Sequence, residues 1–573
     1  MAFDFANFRA GNIASNAELA NTTGLTQATS SISKGSNAST PRKTPSGKKI
    51  GRPKGSGTGS GGAQKRKLQE DFVPRKSTRT RAAAATTLEE KALIHEQNEK
   101  EDEERRRQER EEKHLPREMI VSTGLNGASD QESFKEMIRG LAEFELTKKE
   151  KEEQEEEGWK LGERPDYDQA KLEKITESLE LRSIIKVVPE RIYSLAVHPD
   201  TTKDLVFAGD KYGNIALWDA TNAGQSSQPS TTEPTSIRDG VKKEVKDEDD
   251  GEEGAGVNEE ATEEQGEGGG EEPSNGKFWL WKAHSKSSVS CLKFRPHETK
   301  KIYSSCYDKS LRSHDFETGT SEDVIDADDE EYDGLLHSFD FDPSGNEIWA
   351  TDGAGRLHWR DLRTPIAESK FWNIDKAKVG CISINPARPT LAATAHLKRE
   401  MRIWDLSKLR GLDTELDHTQ VVEQAMVVAY PYEKACSSSY FDPSGTRLLS
   451  TGYDDLLRVW NIDPFQLEKQ LEVDPTFEPA EIIPHNCQVG RFVTVLRAFW
   501  SPLAPSIAPP HIHVGDMRRA LDLYLPDGTM VKSFSDEAIT AVPAVTACHP
   551  TLPGKYYGGS ASGKIAYFAQ PLV

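Results

Sequence analysis

The sequence predicts an all-β protein in which seven similar β-sheets form one ring, preceded by a disordered basic arm and a charged helical segment. One pattern of short apolar strands repeats between about residues 184 and 573. Only 35% of the residues are hydrophobic and 29% are charged, so long parts of the chain are too polar to bury a core. The folded part is therefore expected to be smaller than the 573-residue chain.

The basic arm is predicted at residues 1–86. Ser, Thr, Gly and Ala dominate it, and residues 1–85 contain 15 Lys or Arg against 4 Asp or Glu. The run KKIGRPKG resembles the core of an AT-hook, in which proline extends the backbone and cations enter a narrow minor groove. Its cations are Lys48, Lys49, Arg52 and Lys54. A nuclear-import signal explains the run equally well, and both interpretations place the protein in the nucleus.

A charged helical linker is predicted at residues 87–183. Its first part is an almost continuous run of charges without an apolar stripe, which is typical of a single exposed helix. Apolar residues then recur at helical spacing from Phe134 to Leu146 and from Leu172 to Leu179. These two stretches are expected to lead onto the ring.

The repeating unit is clearest in its first copy. A strand ends in His198-Pro199, a second strand rich in small residues follows, and a third ends in Trp218-Asp219. Six further third strands are predicted at Leu311 to Asp315, Leu357 to Arg360, Met401 to Asp405, Leu456 to Asn461, Ala520 to Tyr524 and Lys564 to Phe568. Trp-Asp endings and a repeat of roughly 40–45 residues are typical of WD repeats, so the segment 184–573 predicts a seven-bladed WD40 β-propeller. Its tryptophans Trp218, Trp404 and Trp460 are expected to be buried.

An acidic insertion at 221–275 separates the first two units. Glu, Asp and Gly dominate it, which predicts a disordered loop. Solubility is the favoured role, ahead of histone contact or competition with DNA for the arm. Because acidic residues are concentrated there, the net charge of −21 does not exclude a basic binding surface elsewhere.

The sequence argues against catalysis, metal binding and membrane insertion. Its six cysteines form no CxxC pair, and no apolar leader or membrane-length run is found, so a soluble protein in a reducing compartment is expected. Gly558 to Lys564 has the Gly and Lys spacing of a P-loop, but Ile565 replaces the Ser or Thr that would hold magnesium. We predict a turn there. Without HExxH, GxSxG or a zinc-like cluster, neither enzyme activity nor a cofactor or metal is expected.

Three stretches of the propeller carry a family resemblance: Arg191 to Pro199 with Phe207 to Ile215, Met401 to Gly411, and Ile483 to Arg491. They resemble the fungal DNA damage-binding WD-repeat proteins of the changed-mutation-rate type. More distantly, they resemble the propeller subunit of the ultraviolet-damaged-DNA-binding complex. The resemblance covers about residues 184–573. It implies a DNA-binding protein of DNA metabolism or the damage response that prefers ultraviolet-damaged duplex.

The resemblance also implies which residues bind DNA. In that family, phosphates lie against basic loops on one rim of the ring, and a hairpin probes the minor groove at the lesion. The matching basic residues here are Arg191, Lys211, Lys376 and Lys378. The hairpin corresponds to residues 486–492, with Asn486, Gln488 and Arg491 as the candidate contacts. This segment lacks the bulky aromatic wedge of the damage sensor, so a preference for damage would reflect easier deformation of the duplex.

Two other functions fit a propeller. One is a chromatin scaffold that binds histones or repair proteins and touches DNA only through the arm. The other is a substrate receptor of a ubiquitin ligase, a class that often carries Trp-Asp-x-Arg at the end of a third strand. Here Trp404-Asp405-Leu406-Ser407 lacks the arginine, and Trp359 to Arg363 has a shifted order. If the propeller alone binds duplex DNA, the damage-binding hypothesis is favoured over the scaffold.

Overall fold

The computed structural model describes residues 100, 116–122, 129–144, 159–224, 275–327, 334–473, 475–487, 489 and 493–571. Seven antiparallel sheets are arranged in one ring, because the innermost strand of each sheet contacts the innermost or second strand of the neighbouring sheets. The predicted all-β, seven-bladed propeller is therefore confirmed. Most of the acidic insertion and the exposed charged helix lie outside the described residues, as does the arm.

Strands are numbered along the chain. Two of them precede the repeats: β1 Arg117–Glu118 and β2 Glu180–Lys186. Blade one then contains β3 Ile192–Val197, β4 Leu205–Asp210, β5 Asn214–Asp219 and β6 Lys277–Lys282. Blade two contains β7 Val289–Arg295, β8 Glu298–Cys306, β9 Ser310–Asp315 and β10 Thr320–Asp326. Blade three contains β11 Leu336–Phe341, β12 Glu347–Asp352, β13 Arg356–Asp361 and β14 Lys370–Asn373. In each of these blades the first strand is innermost, and the fourth is outermost except in blade two, where β1 lies outside β10.

The remaining blades follow the same order. Blade four contains β15 Val379–Ile384, β16 Leu391–His396, β17 Glu400–Asp405 and β18 Met426–Pro431. Blade five contains β19 Cys436–Phe441, β20 Arg447–Gly452, β21 Leu456–Asn461 and β22 Glu481–Pro484. Blade six contains β23 Phe499–Trp500, β24 Ile512–Asp516, β25 Ala520–Tyr524 and β26 Met530–Phe534. Blade seven contains β27 Val545–Cys548, β28 Tyr556–Gly559 and β29 Lys564–Ala569. All six predicted further third strands are thus present.

Blade seven is completed by a strand from before the repeats. β2 pairs antiparallel with β29, for example Leu181 with Phe568, and so supplies the fourth strand. It begins at Glu180, just before the propeller boundary predicted at 184. The ring is therefore closed by hydrogen bonds between strands far apart in sequence, and β29 is paired on both sides.

The blades pack on one another through apolar side chains of their second and third strands. Every residue of β4, β16 and β20 is buried. Trp218, Trp404 and Trp460 are also buried, as predicted, and each indole N–H finds an acceptor. For Trp404 that acceptor is the hydroxyl of Thr394 at 2.7 Å. Such pairing removes the cost of burying the polar end of a tryptophan.

In the described residues, five helices lie outside the sheets: α1 Gln131–Glu143, α2 Gln169–Glu177, α3 Leu406–Gly411, α4 His418–Ala425 and α5 Leu467–Val473. A short 3-10 turn spans Ile366–Glu368. Helices α3 and α4 fill the connection between the third and fourth strands of blade four, and α5 does the same in blade five. No described helix is both long enough and apolar enough to cross a bilayer.

The predicted helical stretch around Phe134 forms α1 and packs against the outer edges of blades one and two. Asp130 caps its N-terminus by accepting a hydrogen bond from Ser133 N at 2.8 Å. Phe134 is fully buried, with its ring centroid 5.5 Å from that of Trp281. Just before the helix, β1 adds a fifth strand to blade two by pairing with β10.

Residues 159–177 cross the turns between the first and second strands of blades five and six. Trp159 Nε1 donates to Pro502 O at 3.1 Å, and Gly162 N donates to Ser444 O at 2.8 Å. From α2, Lys171 Nζ donates to Ser506 O at 2.7 Å. We call the face that carries these turns the lower face. It is thus partly covered by the chain's own N-terminal segment.

Candidate nucleic-acid interface

The opposite, upper face is built by the turn between the second and third strands of each blade and by the residue before the first strand. A repeated hydrogen bond joins the two. Lys211 N donates to Arg191 O at 3.0 Å in blade one, and Leu397 N donates to Lys378 O at 3.1 Å in blade four. Equivalent bonds occur in blades two, three and five. The backbone therefore fixes Arg191, Lys211 and Lys378 on one face of the ring.

In blade one, Arg191 and Lys211 are each associated with a tyrosine. The Arg191 guanidinium lies 6.0 Å from the ring centroid of Tyr193, and its buried Nε has no hydrogen-bond partner. The Lys211 ammonium lies 5.0 Å from the ring centroid of the exposed Tyr212. Both pairs present a cation beside an aromatic face, which is an arrangement that suits contact with a nucleic-acid backbone.

In blade four, Lys376 and Lys378 flank the start of β15. Lys376 is exposed, and its backbone N–H donates to Asp375 Oδ1 at 2.6 Å. Lys378 is half-buried. Burial, and then the positive charge of Arg497, lower the pKa of Lys378 from 10.5 to about 8. Neither ammonium group forms an ion pair within the part of the chain that the structure describes.

Arg497 is a site residue that the sequence analysis missed. The strand registers give it the same position as six small residues in the other blades: Ser194, Cys291, Ser338, Cys381, Ser438 and Val545. Its larger side chain occupies the central channel, where Nη2 donates to Gly380 O at 3.2 Å. Its charge acts on Tyr440 and Tyr307, which belong to blades five and two. An alignment of the seven repeats has an arginine at this position, where the other blades have Ser, Cys or Val. This difference was the signal available in the sequence.

Aromatic rings connect these cations around the upper end of the channel. The ring centroids of Tyr193 and Tyr307 are 6.3 Å apart, and those of Tyr307 and His337 are 4.7 Å apart. Nδ1 of His337 is hydrogen-bonded to the Tyr307 hydroxyl at 3.0 Å. We call the group formed by Arg191, Tyr193, Tyr307, Lys378 and Arg497 the channel mouth. It combines three cations with two phenol rings.

Described residues that follow the segment predicted as a minor-groove hairpin contact blades one and five. Thr494 Oγ1 donates to Ile192 O of blade one at 2.8 Å, and Leu496 O accepts from Ser437 Oγ of blade five at 3.1 Å. Asn486 is only 3% exposed, so its side chain has no surface for a base or phosphate to contact in this conformation. The other two predicted hairpin contacts, Gln488 and Arg491, lie outside the described residues.

The four arm residues of the AT-hook-like run, Lys48, Lys49, Arg52 and Lys54, also lie outside the described residues. The described part of the chain thus brings together Arg191, Lys211, Lys376 and Lys378 with Arg497.

The predicted cations lie in blades one and four, on opposite sides of the ring. Two exposed acidic residues, Asp536 and Glu537, directly follow β26 between blades six and seven. A polyanion that contacts the cations and avoids this acidic connection would therefore cross the channel mouth from blade one to blade four.

Comparison with known proteins agrees with this fold. The family model described as "WD domain, G-beta repeat" matches residues 277–315 and 432–461, which include β7–β9 and β19–β21. "DNA damage-binding protein CMR1" of Cryptococcus neoformans is 33% identical over 444 residues, covering 68% of this chain and 69% of that protein. The chain belongs to this family. The family assignment made from the sequence is thereby confirmed.

Two further CMR1 proteins show similar coverage. That of Mycosarcoma maydis is 29% identical over 498 residues, covering 70% of this chain and 73% of its own. That of Phaeosphaeria nodorum is 31% identical over 390 residues, covering 66% of this chain and 65% of its own. The name that these relatives share states that they bind damaged DNA. It describes a binding activity and names no reaction.

In this CMR1-family chain, two side-chain groups have the composition of a metal site: His284, Cys306 and Asp308, and His485, Asp516 and Asp522. Both histidines already form hydrogen bonds within the protein. His284 is hydrogen-bonded to Ser304 Oγ at 2.7 Å and to Asp308 Oδ2 at 3.2 Å. His485 is hydrogen-bonded to Tyr524 and to the carbonyl oxygen of Gly515. These groups act as structural networks that join the turns of the upper face to their blades.

The P-loop-like run of this CMR1-family chain is a turn, as predicted. Gly558 and Gly559 end β28, and Lys564 begins β29. The structure therefore has a hairpin where a P-loop needs the start of a helix. All six cysteines of the chain are free thiols.

Proposed function

We propose that this protein binds duplex DNA on the upper face of its propeller, as a non-enzymatic member of the DNA damage response with a preference for ultraviolet-damaged duplex. The observation that carries this proposal is a set of five cations around the channel mouth without carboxylate partners among the described residues. These cations are Arg191, Lys211, Lys376, Lys378 and Arg497. The name of the relatives, DNA damage-binding protein, supports the same function.

The phosphate backbone is the ligand that this charge pattern fits best. Duplex DNA carries one negative charge per roughly 1.7 Å of its axis, and each neutralised phosphate releases condensed counterions. A contact of this kind gives a slope of about −0.9 in log affinity against log salt. Five such contacts would give a steep salt dependence with little sequence preference, because phosphates carry no base identity.

The duplex is proposed to run from blade one to blade four across the channel mouth. This path keeps its phosphates away from Asp536 and Glu537. It also brings the minor groove toward the described residues Thr494 and Leu496, which follow the segment predicted as a hairpin. We assign minor-groove contact to Gln488 and Arg491 of that segment, and additional DNA contact to the arm through Lys48, Lys49, Arg52 and Lys54. Asn486 is left out because it is buried.

Preference for damaged duplex follows from deformation energy. Bending or opening a site costs free energy that depends on how well its base pairs stack, and a damaged pair costs least. A rigid propeller that accepts only a bent duplex would therefore favour lesions without recognising their chemistry. Residues 486–491 of the segment contain no aromatic side chain, so this explanation needs no extruded base.

The basic arm, with its import-like clusters, supports a nuclear location. Candidate protein partners are histones, repair proteins and ubiquitin-ligase subunits. If DNA affinity proves to reside only in the arm, the propeller would instead serve as a scaffold for such partners.

The test compares the full chain with a variant in which Arg191, Lys211, Lys376 and Lys378 are changed to Glu. A matched control reverses four exposed lysines away from the upper face: Lys174, Lys277, Lys408 and Lys469. Binding to intact and ultraviolet-irradiated duplex is measured by fluorescence anisotropy. We expect the upper-face variant to lose affinity for both duplexes and the control to keep it. Equal losses in the two variants would show that net charge, and not the upper face, determines binding.

A further inference from the structure

The amine of Lys378 is unusual among the lysines of the channel. Its backbone carbonyl is fixed by Leu397 N, so the side chain starts from a defined position beside the channel mouth. The amine itself makes no hydrogen bond or ion pair to any residue that the structure describes, although the side chain is half-buried. Lys293, in the same channel, has the opposite environment, because its Nζ lies 2.7 Å from the carboxylate of Asp340. That carboxylate raises the pKa of Lys293 despite burial.

The groups that face Lys378 all favour its neutral form. Arg497, from blade six, contributes a positive charge. His337, from blade three, is neutral, because burial and then the charges of Lys378 and Arg497 lower its pKa to about 2. The carboxylate acting on His337 is that of Asp352, which is held by Arg356 Nε at 2.7 Å and His358 Nε2 at 3.0 Å. With a pKa of about 8, Lys378 therefore carries an appreciable neutral fraction near neutral pH.

A neutral, accessible lysine is a nucleophile toward carbonyl groups. Lysines that form Schiff bases in enzymes are activated by burial or by a neighbouring cation, and both conditions are met here. Lys378 lies on the face proposed above to bind DNA. The aldehyde that damaged DNA supplies is C1′ of the ring-opened sugar at an abasic site. Because that site has lost its base, its sugar can turn out of the duplex at low cost.

We propose that Lys378 captures abasic sites in DNA as a reversible Schiff base, an activity that rests on the DNA binding proposed above. The Nζ lone pair attacks C1′ of the open-chain sugar, and one proton of the amine passes to the aldehyde oxygen to give a neutral carbinolamine. The nitrogen lone pair then forms the C=N bond as the hydroxyl group leaves, and the second amine proton passes to that hydroxyl to give water. Hydrolysis reverses both steps, so no oxidant, reductant or strand cleavage is needed. Arg497 acts as a positioning residue through its charge on the amine.

The experiment traps this intermediate in the full chain. The probe is a duplex with one deoxyuridine converted to an abasic site, and sodium cyanoborohydride reduces the imine to a stable secondary amine. A duplex with a tetrahydrofuran residue, which has no aldehyde, serves as the binding control. We expect a covalent adduct on the abasic duplex alone, with peptide mapping placing the modified amine at Lys378.

Three variants make the result specific. Lys378→Arg keeps the charge but cannot form the imine, so the trapped yield per bound protein, with binding measured on the tetrahydrofuran duplex, should fall by about tenfold. Lys469→Arg, at an exposed lysine on α5, should leave the yield unchanged. Arg497→Leu, assayed at saturating protein, should move the pH dependence of trapping to higher pH, because the charge that favours the neutral amine is gone.

Three results would overturn the proposal. Unchanged trapping in Lys378→Arg would do so, as would mapping of the adduct to lysines of the arm. The third result is the absence of an adduct on the abasic duplex when the unaltered protein is used. If that protein also failed to bind the tetrahydrofuran duplex, the proposed DNA-binding function would fail with it. The binding control thus separates the two proposals.

Discussion

Arg497 Nη2 donates a hydrogen bond to the carbonyl oxygen of Gly380 at 3.2 Å, joining blade six to blade four across the central channel. The bond fixes a guanidinium beside the amine of Lys378, two residues before Gly380 in the chain. Two like charges are thereby held close together without a carboxylate among the described residues to neutralise them. Such an arrangement is costly in the free protein and is relieved when an anion binds.

The first prediction concerns Arg497 itself. Changing Arg497 to Leu should weaken binding to intact duplex and reduce the salt slope by about one, because one phosphate contact is lost. The measurement is DNA affinity of the full chain between low and physiological salt, with thermal unfolding followed in parallel to verify the fold. An unchanged slope in a folded variant would remove Arg497 from the interface.

The second prediction is a pH dependence of binding that comes from Lys378. Its pKa of about 8 is lowered from the usual 10.5, so it loses its proton, and its attraction for phosphate, as the pH rises from 7 to 9. DNA affinity should therefore fall over this range more steeply than the ordinary lysines would allow. Lys378→Arg should flatten the profile, since arginine stays charged. If the two profiles were parallel, Lys378 would not contact phosphate.

How far the sequence predicts this site depends on the residue. Arg191, Lys211, Lys376 and Lys378 stand in turns, where the family resemblance and the repeat pattern both locate them. Arg497 escaped prediction because it lies inside a strand-forming stretch, and only strand register reveals that its side chain enters the channel. Side-chain burial is equally hard to infer from sequence, which is why Asn486 was a candidate although it is buried.

The fold was more predictable than the site, because seven copies of one pattern reinforce one another. The recurring third strands located every blade, and four of them end in Trp or His followed by Asp or Asn. The strand β2 was missed, since it stands outside the repeats and pairs with β29 at the far end of the chain. The helices α3 and α4 were missed for a related reason. They are insertions between two strands of blade four, where the repeat pattern gives no information.

The third prediction tests a turn of the upper face. Gly213 has φ of +83°, and an added Cβ would lie 2.4 Å from Ser285 O. Gly213→Ala should therefore destabilise the protein by roughly 1–3 kcal/mol through backbone strain and the clash. Gly411, whose Cβ position has no atom within 4 Å, is the matched control, and Gly411→Ala should be nearly neutral or stabilising. Thermal unfolding compares the two, and equal melting temperatures would refute the assignment.

The fourth prediction tests the attachment of α1. Phe134→Ala removes a fully buried ring that contacts Trp281, so it should cost about 3–5 kcal/mol in the local stability of the helix and its docking site. Hydrogen exchange should then increase in residues 131–143 and in β6, while blades four and five stay protected. Glu132→Ala, at an exposed position in the first turn, serves as the control. Uniform loss of protection in all blades would show that α1 is required for the entire ring.

The most direct test of the central claim asks whether the propeller without its arm binds DNA. Residues 117–573 contain β1, both N-terminal helices and all seven blades, so this fragment keeps every contact described above. Its affinity for intact and ultraviolet-irradiated duplex is measured at several salt concentrations, beside the fragment with Glu at Arg191, Lys211, Lys376 and Lys378. We predict binding that favours irradiated duplex, with a steep salt slope that the variant loses. A folded fragment that bound neither duplex at low salt would contradict DNA binding by the propeller. The propeller would then be a protein-binding scaffold.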